Sequence, residues 1–240
     1  MIPKIIHCCW FGGPKTQLAS KCLASWRLYA SDWAIHEWSI EEVRDKGFEL
    51  GFNSAVESFF DKAIEAKKWS MASDFVRMLA LYAEGGVYFD FDVELISNLE
   101  SLPSGEWVAG EKTALGEVWM ASGAGIALRK CSEVALGMIN AYEKIEFDPA
   151  RKMMPWINGH LSRFPLQIIP SEIMCPIGVD GRCSSTSRTV AIHHYAMSWA
   201  SPKQRLLKWL SWHGMRSLID FLLRVRRFVS IYRKRKRGCF

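Results

Sequence analysis

The sequence predicts an α/β sandwich, a mixed sheet flanked by helices. Two observations carry that prediction. Short apolar runs alternate along the chain with segments of helical period, the pattern of strands and helices packed in layers. The first such run, Lys4 to Trp10, ends in Gly12, Gly13 and Pro14, so a buried strand delivers the chain into a glycine-rich loop, a common entrance to a nucleotide site. With 240 residues, 49% hydrophobic and 12% aromatic, there is ample material for one core, and disorder is excluded for most of the chain.

The elements follow in order. Leu18 to Tyr29 has helical spacing, Trp33 to Trp38 alternates as a strand does, and Glu41 to Lys46 reads as a short helix. Residues 54–83 are expected to be helical, with Met71, Phe75, Met78 or Leu79, and Tyr82 on one face and Gly85-Gly86 as the stop. Val87 to Val93 is then expected as one strand. Trp107 to Gly110 and Val118 to Ala121 are weaker strand candidates, and Leu128 to Lys144 is a helix. Residues 145–190, rich in Pro, Gly and Ser, give no assignment. Ala191 to Tyr195 is a last short strand candidate, and Lys203 to Tyr232 carries a long helical pattern after Pro202.

Charge is unevenly placed. Residues 203–240 hold twelve Lys/Arg against Asp220 alone, a local +11, which leaves about −5 on residues 1–202. Two domains are expected, a catalytic body over 1–200 and a basic amphipathic tail over 201–240. The seven cysteines are odd in number and contain no CxxC pair, so neither a disulfide framework nor a zinc ribbon is indicated, and a reducing compartment fits. The N-terminus lacks the charged and apolar regions of a signal peptide, and no window of about 18 apolar residues offers a membrane span.

Three clusters carry chemistry. Alternation in Val87–Val93 places Val87, Phe89, Phe91 and Val93 on one face and Asp90 with Asp92 on the other, about 6 to 7 Å apart. A carboxylate pair at the end of a core strand calls for a neutralising cation, and a hard divalent ion holding phosphates is the usual solution. A solvated acidic edge strand is the alternative, disfavoured because aspartate is a poor strand former. Asp74 and Arg77, three apart, share a face of the helix that feeds this strand. Taken alone they read as a surface ion pair, but next to Asp90 Arg77 could grip an anion or hydroxyl and Asp74 could accept from hydroxyls. His193-His194-Tyr195-Ala196-Met197-Ser198-Trp199 gathers two imidazoles, two hydroxyls and an indole. Beside paired aspartates either histidine is a candidate further ligand for Mn²⁺.

These residues resemble glycosyltransferase family 32, the DxD-containing glycosyltransferases that include bacterial capsule and O-antigen enzymes. The matching segments are Ile2–His7 with Trp10-Phe11-Gly12, Ser25-Trp26, Trp33–Trp38, Ala72–Arg77 through Leu81-Tyr82, Gly85–Tyr88, Asp90–Val93, and Ala191–Tyr195 with Ser198-Trp199. The resemblance implies a GT-A fold and retaining hexosyl transfer from a nucleotide sugar, first among them a UDP-sugar, with Mn²⁺ or Mg²⁺ as cofactor. It implies that Trp10 stacks on the base and that Asp74 and Arg77, with Ser73 beside them, hold the donor. Asp90 would touch ribose, sugar or metal, Asp92 would bind metal, and the terminal His and Ser198-Trp199 would close over the diphosphate. The chain departs from the family where relatives carry an asparagine, here Glu117-Val118-Trp119-Met120, and where they show Thr-Gly-Pro, here Asn158-Gly159-His160. The acceptor side is therefore open.

In the tail, Leu207, Leu210, Leu218, Phe221, Leu222, Val225, Phe228 and Tyr232 form a helical stripe, with Trp209 and Trp212 near its start and Arg233-Lys234-Arg235-Lys236-Arg237 at its end. It reads as an anchor for an anionic membrane surface, against a packed terminal helix as the alternative. Nucleic-acid binding finds no basic face on the acidic body. The expectation is a cytoplasmic protein, peripheral on the inner face of a bacterial membrane, acting on a lipid-linked or growing glycan. A haloacid-dehalogenase-like phosphohydrolase is a rival, weakened by Glu94 where that motif wants Thr or Val, and a catalytically weak sugar- or lipid-binding module is another.

Overall fold

The computed structural model describes residues 1–113, 116–178, 181–196, 206, 208–210 and 212. The chain opens with β1 (Ile5–Cys9), α1 (Gln17–Tyr29), β2 (Ala34–Trp38) and α2 (Ile40–Glu49). A broken helix follows, α3 (Asn53–Ala55), a π-helical stretch over Val56–Asp61, and α4 (Lys62–Glu65). Then come α5 (Trp69–Glu84), β3 (Gly86–Tyr88), β4 (Val93–Leu95), β5 (Trp107–Lys112), β6 (Val118–Met120) and β7 (Ile126–Leu128). The described elements end with α6 (Glu133–Lys144), α7 (Met153–Leu161), β8 (Gln167–Ile169), α8 (Ser171–Met174) and β9 (Ala191–His193).

The main sheet runs β2-β1-β3-β7-β5-β6, with β8 added parallel to β5. Its first three strands are parallel, and β3, β7 and β5 are antiparallel neighbours, so the expected mixed α/β sandwich is present. One core cluster, with Phe59, Phe60, Phe75, Leu79, Met138 and Tyr142, lies under α5 and α6. The other, with Trp26, Val87, Phe89, Phe91, Val93 and Trp107, lies under α1 and the small antiparallel sheet β4–β9.

Local chemistry sets the boundaries. Thr16 caps α1 by accepting from Ala19 N–H, and Ser39 with Glu42 forms a reciprocal capping box on α2. Docking of α1 is polar as well as apolar. The Trp26 indole donates to Val93 O at 2.7 Å, and Leu95 N–H donates to Ser25 Oγ at 2.9 Å. Between α5 and β3 the chain turns on Gly85 (φ 71°) and Gly86 (φ 115°). A Cβ at Gly86 would stand 2.5 Å from Ile5 O and one at Gly85 2.5 Å from Lys130 N, so only glycine lets β3 follow α5 this closely.

Three expectations need correction. The helix expected over Leu128–Lys144 begins only at Glu133, capped by Ser132, because Leu128 pairs with Gly86 as the last residue of β7. Residues 54–83 are not one helix, because Ala66–Lys68 interrupt it. Lys68 N–H returns to Ala63 O at 2.8 Å with Lys67 at φ 54°, a helix end formed without glycine or proline. Val87–Val93 is not one strand. Asp90 N–H leaves the ladder for Gly123 O at 2.9 Å, and Val93 N–H closes back on Asp90 O at 3.1 Å, so both aspartates lie at a turn between β3 in one sheet and β4 in another. The face partition nevertheless holds, since Val87, Phe89, Phe91 and Val93 all enter the same core cluster.

The tail helix over 203–232 lies outside the described residues except at a few positions. Leu210 is buried, Trp212 packs on Gly181, and Leu206 and Trp209 are exposed. No described helix is long and apolar enough to cross a membrane.

Candidate active site

The turn that carries the two aspartates is anchored from below. Phe89 and Phe91 sit against Trp26 at ring separations of 5.9 and 5.5 Å, and the edge of Trp10 meets Phe91 at 5.7 Å. With both rings committed to the core, Asp90 and Asp92 are directed to the other side, where they line a pocket of about 340 Å³.

Arg77 is the hub of a network behind the pocket, which it reaches through Asp90. Its guanidinium is only 2% exposed and donates to Asp74 Oδ1 at 2.9 Å, Ser122 Oγ at 2.7 Å and Asp90 Oδ1 at 3.2 Å, with its carbon 4.9 Å from the Tyr88 ring centre. A side chain at Gly123 would overlap Asp90, so the Ser122-Gly123 backbone shapes the seat of both groups. Burial would lower the Arg77 pKa, but Asp90 and Asp74 raise it, so the guanidinium is firmly charged. Burial pushes the Asp74 carboxyl up to about 6 against the pull of Arg77, and it raises Asp90 likewise. Two carboxylates around one guanidinium leave the group short of positive charge.

Asp92 is held differently. Burial acts to raise it, but His193 and the Ala196 N–H hold it at about 2. His193 Nε2 stands 3.4 Å from Asp92 Oδ1, and Ala196 N–H donates to Asp92 Oδ2 at 2.8 Å. Burial disfavours the charged form of His193, but Asp92 more than compensates and raises its pKa well above the ordinary value. Its Nδ1 is buried without a hydrogen-bond partner.

Of the sequence-predicted residues, the structure brings Asp74, Arg77 and Asp90 into one network. Trp10, Ser73, Asp90 and Asp92 line one pocket, with His193 against Asp92. His194 turns elsewhere: its Nε2 meets Glu94 Oε2 at 2.7 Å, and Lys21 binds the same carboxylate at 2.8 Å. Ser73 donates to Ser70 O at 2.9 Å. Ser198 and Trp199 lie outside the described residues. The sequence did not point to Ser122, Gly123 or Trp69. Trp69 lines the pocket, and its ring is where a side chain at Gly12 would fall. Its aromatic type in the turn before Ser73 was the available signal.

A divalent cation fits the donor set at Asp90 and Asp92. Three carboxylates face one guanidinium and one imidazolium, which leaves a net negative charge for a cation to meet. The ligand atoms of His7, His36 and Glu84 also lie within 4.8 Å of one another, where β1 and β2 meet the end of α5. There the His7 ring is already fully used, since its Nδ1 accepts from Trp38 Nε1 at 3.1 Å and its Nε2 bonds Gly85 O at 2.7 Å. Burial lowers its pKa to about 4, which keeps it a neutral structural imidazole with no lone pair to give.

Residues 16–109, which contain Asp74, Arg77, Asp90 and Asp92, match the family model described as the glycosyltransferase sugar-binding region containing DXD motif. Among solved structures, the chain is similar to a PaToxG glycosyltransferase, with a TM-score of 0.51 and 19% identity over 68% of this chain and 69% of that one. Another similar structure is a transferase, at TM-score 0.40 and 14% identity over 66% of this chain and 83% of that one. No curated protein matches the chain. The DXD sugar-binding signature thus covers residues 16–109, and the likeness to the PaToxG glycosyltransferase shows a shared fold.

Proposed function

We propose that the protein is a metal-dependent, retaining glycosyltransferase that moves a hexosyl group from a nucleotide sugar, a UDP-sugar first among them, to a lipid-linked or growing surface glycan. The observation that carries this reading is the Asp74–Arg77–Asp90 network, which reaches through Asp90 into the pocket that Asp92 also lines. Trp10 offers an aromatic face for a base, and its indole N–H is fixed on Gly13 O at 2.8 Å. Asp90 and Asp92 would hold Mn²⁺ or Mg²⁺, which when bound supplies charge stabilisation for a departing diphosphate.

The chain's own groups divide the rest of the task. Asp74 and Arg77, fixed to each other and walled in by Ser122, present a carboxylate and a guanidinium of set orientation to donor hydroxyls. His193 and the Ala196 N–H keep Asp92 ionised at neutral pH. During transfer the anomeric C–O bond to the diphosphate breaks, a bond to the acceptor oxygen forms, and the acceptor's proton leaves on the diphosphate. The basic stripe over 203–240 supports peripheral attachment to an anionic cytoplasmic leaflet, where a lipid-linked acceptor would be presented.

Incubating the purified chain with a panel of nucleotide sugars and Mn²⁺ tests the reading. Metal-dependent release of one nucleoside diphosphate is expected, and proton NMR of a transfer product reads retention at the anomeric carbon. Absence of both binding and turnover across UDP-, GDP-, ADP- and CDP-sugars would overturn it.

A further inference from the structure

The start of the basic tail returns to the bend at Tyr195 and Ala196, and one of its lysines, Lys208, stands beside the residues that hold Asp92. We infer that Lys208 is an anion-binding residue of this site, meeting the diphosphate of the donor. The inference rests on the nucleotide-sugar reading above.

The Lys208 ammonium donates to the backbone carbonyl of Tyr195 and lies 3.5 Å from His194 O. It stands 4.0 Å from the centre of the Trp212 ring and 5.7 Å from that of Tyr195. These neighbours are carbonyls and ring faces. Among the described residues no carboxylate is paired with it, and Asp92 is the acidic group whose charge it feels. Burial lowers its pKa from the ordinary value, and the carbonyls that hold it carry no net charge to neutralise the ammonium.

Position turns this excess charge into a function. The carbonyls that hold Lys208 belong to His194 and Tyr195, and the next N–H, that of Ala196, is bonded to Asp92 Oδ2 at 2.8 Å. Tyr195 adopts φ 50°, so the segment doubles back there. The ammonium and the Asp92 carboxylate are thus tied to neighbouring residues of one tight bend, and Ala196 and Asp92 line the pocket. A group bridging a cation held at Asp92 and the Lys208 ammonium must be an anion with oxygens at both ends. A diphosphate has that form, whereas a neutral sugar or base does not. Lys208 lies beyond residue 200, so on this inference the donor site would draw on the segment that the sequence assigns to the tail.

Isothermal titration with Lys208→Met and Lys208→Arg tests this. UDP, GDP, inorganic pyrophosphate and the parent nucleosides are titrated into the full chain with Mn²⁺. In Lys208→Met, diphosphate and pyrophosphate affinity should fall roughly ten- to a hundredfold, the range of a lost charge-assisted hydrogen bond, with nucleoside affinity unchanged. Lys208→Arg should recover part of the loss. Equal weakening of nucleosides and diphosphates would assign Lys208 to bracing the bend alone and overturn the inference, as would unchanged affinity for both. In the unsubstituted chain, UDP or pyrophosphate with Mn²⁺ should also shield Lys208 from amine acylation read by mass spectrometry. Full labelling in the bound state overturns the inference whether or not the variants fold. If the unsubstituted chain binds none of the diphosphates, the nucleotide-sugar reading fails as well.

Discussion

Arg77→Ala should destabilise the fold by about 3 to 5 kcal/mol at pH 7, the range for removing one partner of a buried ion pair. The structure puts it in that range because the guanidinium is 2% exposed and three groups depend on it, Asp74 at 2.9 Å, Ser122 at 2.7 Å and Asp90 at 3.2 Å. Asp90 contributes the smaller share, since its side chain is one-third exposed and water screens it. Such a loss is a large part of the 5 to 15 kcal/mol typical of a domain. The deficit should also depend on pH. Asp74 is already pushed up to about 6 by burial, and without the opposing guanidinium it rises further. A carboxyl with a raised folded pKa binds protons more tightly when folded, so the variant loses stability as pH rises and recovers part of it near pH 5. Urea unfolding at pH 5 and pH 7 measures both quantities. A deficit under about 1 kcal/mol, or one identical at the two pH values, would refute the assignment of Arg77 as the counter-ion of this network.

Asp92→Asn should abolish Mn²⁺-dependent turnover in a chain that still folds but melts at a lower temperature, because His193 loses its counter-ion; full activity at limiting Mn²⁺ would remove Asp92 from the metal's ligands. Gly123→Ala should lower turnover without deleting any polar group, because its methyl would overlap the Asp90 carboxylate; wild-type kinetics would show that Asp90 can shift freely. His7 is neutral in the fold with its pKa lowered to about 4, against about 6.5 unfolded, so stability is complete above 6.5 and falls by about 3 kcal/mol as pH drops to 4. Urea midpoints across that interval measure it, and no slope attributable to His7 on comparison with His7→Gln would sink the reading. A chain ending at His213 keeps Lys208 and Trp212 but loses nine Lys/Arg and Asp220, so it should lose flotation with anionic liposomes at low salt. Equal flotation of both forms would refute attachment through the tail.

Much of the fold was legible because the signals were local. The α1 and α5 periodicities and the Gly85-Gly86 stop each act within a few residues. The break at Ala66–Lys68 was not legible, since no glycine or proline marks it. It arises because Phe59, Phe60 and Phe75 must reach one core from two directions. Residues 145–190 hid α7 because Pro155 and Gly159 look like breakers. Pro155 lies in the first helical turn, where no N–H is needed, and the Asn158 amide serves β6 by accepting from Met120 N–H at 2.8 Å.

The site divides along the same line. Asp74 and Arg77 are three residues apart on a helix, so their pairing follows from geometry that any helix imposes. Ser122 is 45 residues from Arg77, and its role depends on β7 pairing with β3, which brings the loop before β7 under the Asp90 turn. The alternation in Val87–Val93 gave the correct faces for a wrong element, because the same buried pattern suits a strand or a turn whose flanks enter different sheets. What separates them is the destination of one N–H, that of Asp90, which goes to Gly123 and ends the ladder. That single bond seats Asp90 against Arg77 and leaves Asp92 to be fixed by β9 and the bend behind it. Asp90 is therefore held by Arg77 and Gly123 and Asp92 by His193 and Ala196, and of these four partners only Arg77 lies near the motif in the sequence.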